Sequence, residues 1–260
     1  MITKTTNNLT YFQFHNLSKE LAIQHYTTSR LGGFSRDHLA ELNMGYTVND
    51  NPDLVDKNHK LLSEATGIHY TKFVFPKQTN GTNVAIVNSA DDIFPDTDSL
   101  ITNKKDIHIG IKTADCVPIL LFDPEKKVIA AIHSGWNGTV KKISKKTIEL
   151  MIEEFQVDPE NLIAGIGPSI GPAVYEIGPD VIDLVKNSFP TNRVLNYLDN
   201  SDKALFDLWE ANKIVLIDCG VLAKNIEIAE MCTYSNPELF YSARRNGTKT
   251  GRLATGIIMQ

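Results

Sequence analysis

Residues 113–138, TADCVPILLFDPEKKVIAAIHSGWNG, contain two apolar runs joined by a short polar turn. The runs, 117–122 and 128–132, are almost free of polar residues, which is typical of strands buried on both faces. We predict that they form one hairpin. Cys116 precedes the first strand and His133 follows the second, so the hairpin would place these two side chains next to each other at one edge of a buried sheet.

A neighbouring thiol and imidazole are either two metal ligands or a nucleophile and its base. The alternative is a buried cysteine beside a satisfied core histidine, because free cysteines are commonly buried and inert. A glycine-rich loop and a helical pattern over 139–156 follow His133. The histidine is therefore expected near a helix N-terminus, where free backbone N–H groups favour an anion such as phosphate.

The composition is that of an ordinary globular protein, with 260 residues, 42% hydrophobic, 22% charged and a net charge of -5. We predict a single domain over residues 1–260. No basic stripe indicates nucleic-acid binding. The polar start of the chain and the absence of a long apolar segment predict neither a signal peptide nor a membrane partner. Three cysteines without Cys-x-x-Cys spacing argue against a disulfide framework, and the cytoplasm is the expected compartment.

Strand and helix patterns are mixed along the chain, which predicts an α+β fold. The predicted strands are 73–76, 84–88, 107–112, 117–122, 128–133, 161–166 and 253–259. The predicted helices are 54–66, 139–156, 179–188 and 208–223. Residues 189–207 are the least regular stretch and are interpreted as a surface excursion.

Seven motifs in order resemble the YfiH/YlmD laccase-domain family over nearly the whole chain. They are Ser29–Ser35 (SRLGGFS), Leu42–Gly45 (LNMG), Lys77–Gly81 (KQTNG), the 113–138 block, Gly167–Gly171 (GPSIG), Tyr175–Gly178 (YEIG), and Ser242–Gly247 (SARRNG) with Thr250–Arg252 (TGR). The resemblance implies a four-layer αββα sandwich with a metal pocket of one Cys and two His. Its members are described as purine nucleoside phosphorylases that also deaminate adenosine, and earlier as copper-dependent polyphenol oxidases.

The resemblance assigns metal binding and catalysis to Cys116 and His133, with zinc as the expected metal and copper as the alternative. The family's first metal-binding histidine falls on Asn80, whose amide oxygen is a poorer ligand than imidazole. Asn80 is therefore predicted as a weak metal ligand or a water-bridged neighbour of the metal. The competing interpretation is the first turn residue of an Asn-Gly hairpin. Asn137 also departs from the pattern, because it replaces an arginine that could hold phosphate.

The remaining predicted site residues bind substrate or assist the reaction. Asp115 is predicted as a general acid/base or as a residue that orients a ligand. The predicted substrate contacts are Arg30, Asn43, Gln78, Arg244 and Arg245. Arg30 could instead lie beside a surface turn and Asn43 could cap one. Two adjacent arginines suit phosphate or ribose, and only one would face inward from an extended segment.

The first functional hypothesis is phosphorolysis of adenosine, inosine, guanosine or methylthioadenosine to free base and ribose 1-phosphate, with adenosine deamination as a side activity. The second is a copper-dependent polyphenol oxidase, although seven histidines are few for a multicopper centre. The third is an amidohydrolase with Cys116 as nucleophile and His133 as base, and the fourth is a non-catalytic metal-binding module. The expected partners are a small nucleoside and phosphate, and the expected assembly is a monomer or a small homo-oligomer.

Overall fold

Two six-stranded sheets and one three-stranded sheet organise the protein in this computed structural model, which describes residues 1–189 and 192–260. The strands are β1 Ile2–Thr6, β2 Leu9–Gln13, β3 Ile23–Thr28, β4 Phe73–Val74, β5 Val84–Ile86, β6 Ser99–Thr102, β7 His108–Thr113, β8 Val117–Asp123, β9 Val128–Ser134, β10 Ile163–Ile166, β11 Glu176–Ile177, β12 Leu195–Tyr197, β13 Ala204–Phe206, β14 Ile226–Ile228 and β15 Leu253–Met259. The helices are α1 Pro52–Thr66, α2 Trp136–Val140, α3 Ile143–Phe155, α4 Pro179–Ser188, α5 Leu208–Asp218 and α6 Ala243–Asn246.

The strand order joins distant parts of the sequence. The first sheet runs β1-β2-β3-β15-β7-β4, the second runs β14-β10-β8-β9-β6-β5, and the small sheet runs β11-β13-β12. The last strand of the chain, β15, lies between β3 and β7 and pairs antiparallel with both. The first sheet is therefore complete only when the end of the chain has joined it.

The predicted hairpin is confirmed, since β8 and β9 pair antiparallel with Pro118 opposite His133. Every residue of both strands is buried. The Asp123 side chain holds the turn, because its Oδ1 accepts from the backbone N–H groups of Glu125 and Lys126 at 2.8 and 3.0 Å. A buried carboxylate that caps a tight turn fixes the register, and with it the relative positions of Cys116 and His133.

The near-continuous apolar runs of this hairpin follow from burial on both faces. On one face Leu120, Phe122 and Ile129 pack against Ile109 and Ile257 of the first sheet. Fully burying each such side chain stabilises the fold by about 1.5–3 kcal/mol. The contact between the two sheets is therefore a major part of the core.

Helices cover the outer face of each sheet. The other face of the hairpin, which includes Ile119 and Ile132, packs with Met151 of α3 and Val215 of α5. On the outside of the first sheet, Leu62 of α1 belongs to a separate core cluster that includes strand residues of β3 and β15. The layers thus run helix, sheet, sheet, helix, which confirms the α+β class and the αββα sandwich.

The hairpin that was the competing interpretation of Asn80-Gly81 does not form. Strands β4 and β5 flank Asn80-Gly81, but β4 pairs with β7 in the first sheet and β5 pairs with β6 in the second, both in parallel. The segment between them therefore passes from one sheet to the other. Asn80 does adopt the left-handed conformation of a turn residue, with φ 59, so the local turn signal was correct while the strand pairing was not.

Other elements differ from the predicted ones in extent. The helix predicted over 139–156 is two helices, α2 and α3, separated where Lys142 takes left-handed φ 55. Strands β1, β2, β3, β6, β11, β12, β13 and β14 and helix α6 were not predicted. Within 189–207, residues 190–191 lie outside the described part. Strand β13 belongs to the small sheet, and its residues Ala204 and Phe206 are fully buried in the core cluster that also contains Ile119 and Ile132. A surface excursion is therefore wrong for β13.

The three cysteines, Cys116, Cys219 and Cys232, are free thiols, as predicted from their number and spacing. None of the helices in the two described ranges combines the length and the apolarity that a membrane crossing requires.

Candidate active site

Cys116 and His133 meet at one end of the β8–β9 hairpin, as the sequence predicted, and both line a cavity of about 510 Å³. Asn80 lines the same cavity from the segment that crosses between the sheets. Predicted site residues from separate segments of the chain therefore converge on one cavity. The cavity opens between the two sheets, where β7 of the first sheet leads into β8 of the second.

Asp115 sets the position of Cys116. Its backbone is left-handed, with φ 83, a conformation that non-glycine residues rarely adopt. Its carboxylate accepts from the hydroxyls of Thr233 at 2.6 Å and Ser242 at 3.0 Å, and from the backbone N–H of Arg244 at 2.6 Å. These three bonds stabilise the unusual backbone and join it to the start of α6. The geometry supports the orienting role predicted for Asp115, since both of its oxygens are already occupied.

Asp98 fixes His133, and sequence reasoning missed it. The imidazole Nδ1–H donates to Asp98 Oδ1 at 2.7 Å, and both side chains are buried. The same carboxylate accepts from the backbone N–H groups of Gly81 at 2.7 Å and Asn80 at 3.1 Å. One carboxylate thus holds both the histidine and the turn that carries Asn80, and it leaves Nε2 of His133 to face the cavity and Cys116.

The charges of this group shift both pKa values in directions that favour an ion pair. Burial lowers the pKa of His133, but the adjacent Cys116 sulfur and the Asp98 carboxylate outweigh it and raise the pKa to about 9. Burial also raises the pKa of Asp98, yet hydrogen bonds from His133 and from the backbone of Gly81 and Thr79 hold it below its ordinary value. Protonated His133 is therefore stabilised at neutral pH when no metal is bound.

Asn80 combines the backbone of a turn residue with a side chain at the pocket. It is a left-handed turn residue, and its side-chain oxygen also accepts from Cys116 Sγ at 3.8 Å. Its carbonyl accepts from the Asn137 amide at 2.6 Å. Gly135 lies against the same spot, since a Cβ there would come within 3.0 Å of Cys116 Sγ and 3.2 Å of Asn80 Oδ1. Asn80 therefore faces the pocket while completing a turn.

The donor set of this spot is a thiol, an imidazole and a carboxamide. In the described ranges, no group of three or more His, Cys, Asp or Glu side chains forms a metal cluster. Cys116 and His133 nevertheless suit two positions of a zinc or copper site, and a carboxylate on the far nitrogen of the imidazole is usual for metal-binding histidines. Asn80 adds only a weak oxygen donor. The residues fit a metal held by two strong ligands.

The predicted substrate residues divide into those at the cavity and those away from it. Gln78 lines the cavity, and its amide group bonds to the backbone of Lys112 at 2.7 and 2.8 Å, as a neighbouring strand would. Asn43 is fully buried and caps a turn, accepting from the N–H groups of Gly45 and Arg252, both at 2.9 Å. Arg30 lies outside the cavity lining and donates to the carbonyls of Ala40 and Pro237.

The two adjacent arginines also lie outside the cavity lining. They belong to the short helix α6 rather than to an extended segment. Arg245 donates to the carbonyls of Thr233, Tyr234 and Phe240 at 2.7–2.8 Å. Arg244 donates to the Glu176 carbonyl at 2.9 Å and lies over the Tyr175 ring. Both guanidinium groups are thus engaged with the protein itself.

The cavity has a positively charged wall that the predicted site residues did not include. It is lined by Lys77, Lys112 and Arg252, and no aspartate or glutamate lines it within the described ranges. Lys112 precedes Cys116 by four residues on β7, so a lysine at the end of a strand that enters the site was the available sequence signal. An excess of positive charge in a pocket attracts anions.

Comparisons with known proteins agree over nearly the whole chain. Residues 24–260 match the model of a family described as multi-copper polyphenol oxidoreductase laccase. A purine nucleoside phosphorylase of Bacteroides thetaiotaomicron is 36% identical over 99% of this chain and 98% of its own length. The adenosine deaminase RL5, from an unknown prokaryotic organism, is 33% identical over 90% of this chain and 93% of its own. The crystal structure of YlmD from Geobacillus stearothermophilus has a TM-score of 0.91 at 27% identity, covering 99% and 98% of the two chains.

Proposed function

We propose that this chain, which belongs to the family of multi-copper polyphenol oxidoreductase laccase proteins, is a purine nucleoside phosphorylase. Its substrates would be adenosine, inosine, guanosine or methylthioadenosine together with phosphate, and its products the free base and ribose 1-phosphate. The observation that carries the proposal is the cavity in which the Cys116–His133 pair faces a cationic wall with no lining carboxylate in the described part of the chain. The name of the Bacteroides relative supports the same reaction.

The side chains of the cavity divide the work of phosphorolysis. The cationic wall would bind phosphate, whose oxygen attacks the sugar carbon as the bond to the base breaks. His133 is held by Asp98 so that Nε2 faces the reacting groups. Asp115 fixes the backbone on which Cys116 is carried, and the Asn80 turn closes the opposite side. Charged groups held in place in this way stabilise developing charge without reorganisation.

A metal would add to this arrangement. Cys116 and His133 would hold zinc, or copper as the alternative, with Asn80 as a weak oxygen donor, and the bound ion would supply Lewis-acid polarisation. The support is the donor chemistry of the pair and the carboxylate on His133 Nδ1. Cys219 is unsuited to such a role, because burial raises the pKa of its thiol to about 11.

Two further reactions have support at the same site. Deamination of adenosine as a side activity is supported by the name of the RL5 relative. An amidohydrolase is supported by the order Cys116, His133, Asp98, which matches a nucleophile, its base and the group that orients the base. Polyphenol oxidation has the family description in its favour, but the cavity brings together only two strong metal ligands.

The setting of the enzyme is also part of the proposal. Three free thiols fit the reducing cytoplasm. A monomer or small homo-oligomer is the assembly proposed for it, with no role for nucleic acid or membrane.

Release of hypoxanthine from inosine with and without phosphate tests the function. We expect release only with phosphate, and a loss of tenfold or more in Cys116→Ser and His133→Ala, since losses of metal ligands and of their supporting groups commonly have such effects. Cys219→Ser is the matched control and should keep full activity. Activity in both site variants equal to that of the control would remove this cavity as the active site.

A further inference from the structure

We propose that Lys112 is the side chain that binds phosphate, and that it does so at a junction between the catalytic cavity and a second, aromatic cavity. This inference rests on the proposed phosphorylase function and names the anion site within it. It replaces Arg244 and Arg245 as the phosphate contacts. Lys112 was not among the site residues predicted from the sequence.

The location of Lys112 connects two cavities. It lies on β7 and lines the catalytic cavity of about 510 Å³ together with Cys116 and His133. It also lines a neighbouring cavity of about 500 Å³ whose walls include Tyr70, Phe73 and one carboxylate, that of Asp56, which accepts from the Tyr46 hydroxyl at 2.6 Å. An anion bound at the Lys112 ammonium would therefore lie within the catalytic cavity. The aromatic rings of the second cavity could contact another part of a ligand.

The ammonium group has no anionic partner. Nζ lies over the rings of Phe75 and Tyr46, at 4.7 and 5.3 Å from their centroids. No ion pair involving Lys112 forms within the described part of the chain, in contrast to the exposed pair of Lys72 and Asp106 at 3.0 Å. Burial lowers the pKa of Lys112 to about 8. A partly buried ammonium that lacks a counter-ion gains stabilisation when an anion binds.

Two other cations line the cavity. The Lys77 side chain is exposed to solvent, so its ammonium stays hydrated and gains less from an anion than a buried ammonium does. Arg252 lines the cavity, but its guanidinium donates to the carbonyls of Thr248, Thr250 and Gly251. Arg245 is engaged in the same manner outside the cavity. Among the described residues, the Lys112 ammonium faces two aromatic rings and makes no hydrogen bond to a protein acceptor, so N–H donors not directed at the rings remain for a ligand. Arg252 would add positive charge, while Lys112 would make the direct contact.

The shape around Lys112 also favours a small anion over a structural role alone. Its backbone N–H and carbonyl are both held by Gln78, which fixes the strand position from which the side chain extends. The two rings that the ammonium lies over also line the catalytic cavity, so the charged group is at the cavity wall. Phosphate, with oxygens on every side, can bond to Lys112 while one oxygen remains for attack on a sugar.

The test is calorimetric titration of inorganic phosphate into the full chain and three variants, followed by KM values for phosphate and inosine. Lys112→Met keeps the length and the apolar stem, Lys112→Arg keeps the charge, and Lys72→Met is the control at an exposed lysine. We expect Lys112→Met to weaken phosphate binding at least tenfold and to raise the phosphate KM equally, with the inosine KM changed less than twofold. Lys112→Arg should recover most of the affinity, and Lys72→Met should match the parent protein.

The outcomes separate this inference from the function it rests on. Unchanged phosphate affinity in Lys112→Met, or equal loss of phosphate and inosine binding, overturns the role of Lys112 while phosphorolysis stands. Failure of the parent protein to bind phosphate at millimolar concentration also overturns it. Phosphate binding that is lost in Lys112→Met, in a protein that releases no purine, keeps the anion site and removes the phosphorylase function. Thermal unfolding of Lys112→Met at or above the parent temperature shows that the effect is local.

Discussion

Replacing Asp98 by asparagine tests how the site is held together. The carboxylate accepts from His133 Nδ1 at 2.7 Å, from the Gly81 N–H at 2.7 Å and from the Asn80 N–H at 3.1 Å. A carboxamide of the same shape has one accepting oxygen, and its NH2 group must face one of these donors in either orientation. Asp98→Asn therefore removes a charge and leaves a buried donor without an acceptor.

The magnitude follows from the shifted pKa of His133. A change from 6.5 to about 9 corresponds to roughly 3 kcal/mol of stability, an upper limit to which Cys116 and Asp98 both contribute. That figure already contains the hydrogen bond between the two side chains, so the usual loss of about 1.5–3 kcal/mol for a hydrogen bond to a charged group is not added to it. We expect Asp98→Asn to lower the free energy of unfolding by about 3 kcal/mol, or the melting temperature by about 6–12 °C.

The pH dependence has a definite sign. Because folding raises the pKa of His133, its stabilisation is complete below pH 6.5 and is lost as the pH rises through about 9. Because folding lowers the pKa of Asp98, its own contribution is lost only as the pH falls through the acid range. The difference between the parent protein and Asp98→Asn should therefore be largest near pH 5–6 and shrink toward pH 9.

Urea unfolding of chelator-treated protein between pH 5 and 9.5 measures this difference. Asp96→Asn is the matched control. Asp96 lies two residues before Asp98 in the sequence, is exposed, and accepts hydrogen bonds from Asn83 and Thr79. We expect less than about 1 kcal/mol for the control, as is usual for surface changes. A loss in Asp98→Asn no larger than the control's, or one that is independent of pH, would refute the account of His133.

Three further changes follow from the same geometry. Asn80→His should tighten zinc binding at least tenfold by calorimetric titration. It should lower the free energy of unfolding by no more than about 1 kcal/mol, because histidine is among the residues that tolerate left-handed backbone. Unchanged zinc affinity would show that Asn80 does not face the metal. Gly135→Ala should lower kcat at least tenfold, because the added Cβ would come within 3.0 Å of Cys116 Sγ. Gly178→Ala should leave kcat unchanged, because a Cβ there would meet nothing within 4 Å. Equal activity of the two variants would contradict this packing. Arg245→Ala should lower the melting temperature by several degrees, because three hydrogen bonds to backbone carbonyls are lost. The phosphate KM should stay within about twofold of the parent value. A large rise in that KM would identify Arg245 as the phosphate ligand.

The parts of the site that are local in sequence were predictable. The β8–β9 hairpin follows from two apolar runs and a turn, and the hairpin brings Cys116 and His133 together without any other element. The family resemblance then added the layers of the sandwich and the position of Asn80. These predictions depend either on a local hydrophobic pattern or on family motifs.

The parts that depend on distant pairing were not predictable from this chain alone. Asp98 reaches His133 because β6 pairs with β9, with Ser99 opposite Ile132, and no local pattern encodes that pairing. The Asn80-Gly81 turn has the same local signal whether its flanking strands pair or belong to different sheets. Arg244 and Arg245 looked available because a sequence does not show which backbone carbonyls will face a guanidinium.

The fate of phosphate distinguishes phosphorolysis from hydrolysis and from deamination. Incubation of the parent protein with inosine and inorganic phosphate, followed by phosphorus NMR, distinguishes the possible products. We expect ribose 1-phosphate in amounts equal to the hypoxanthine released by the parent protein, and no ribose 1-phosphate from Cys116→Ser. Free ribose with unchanged phosphate, or conversion of adenosine to inosine with no release of base, would contradict it.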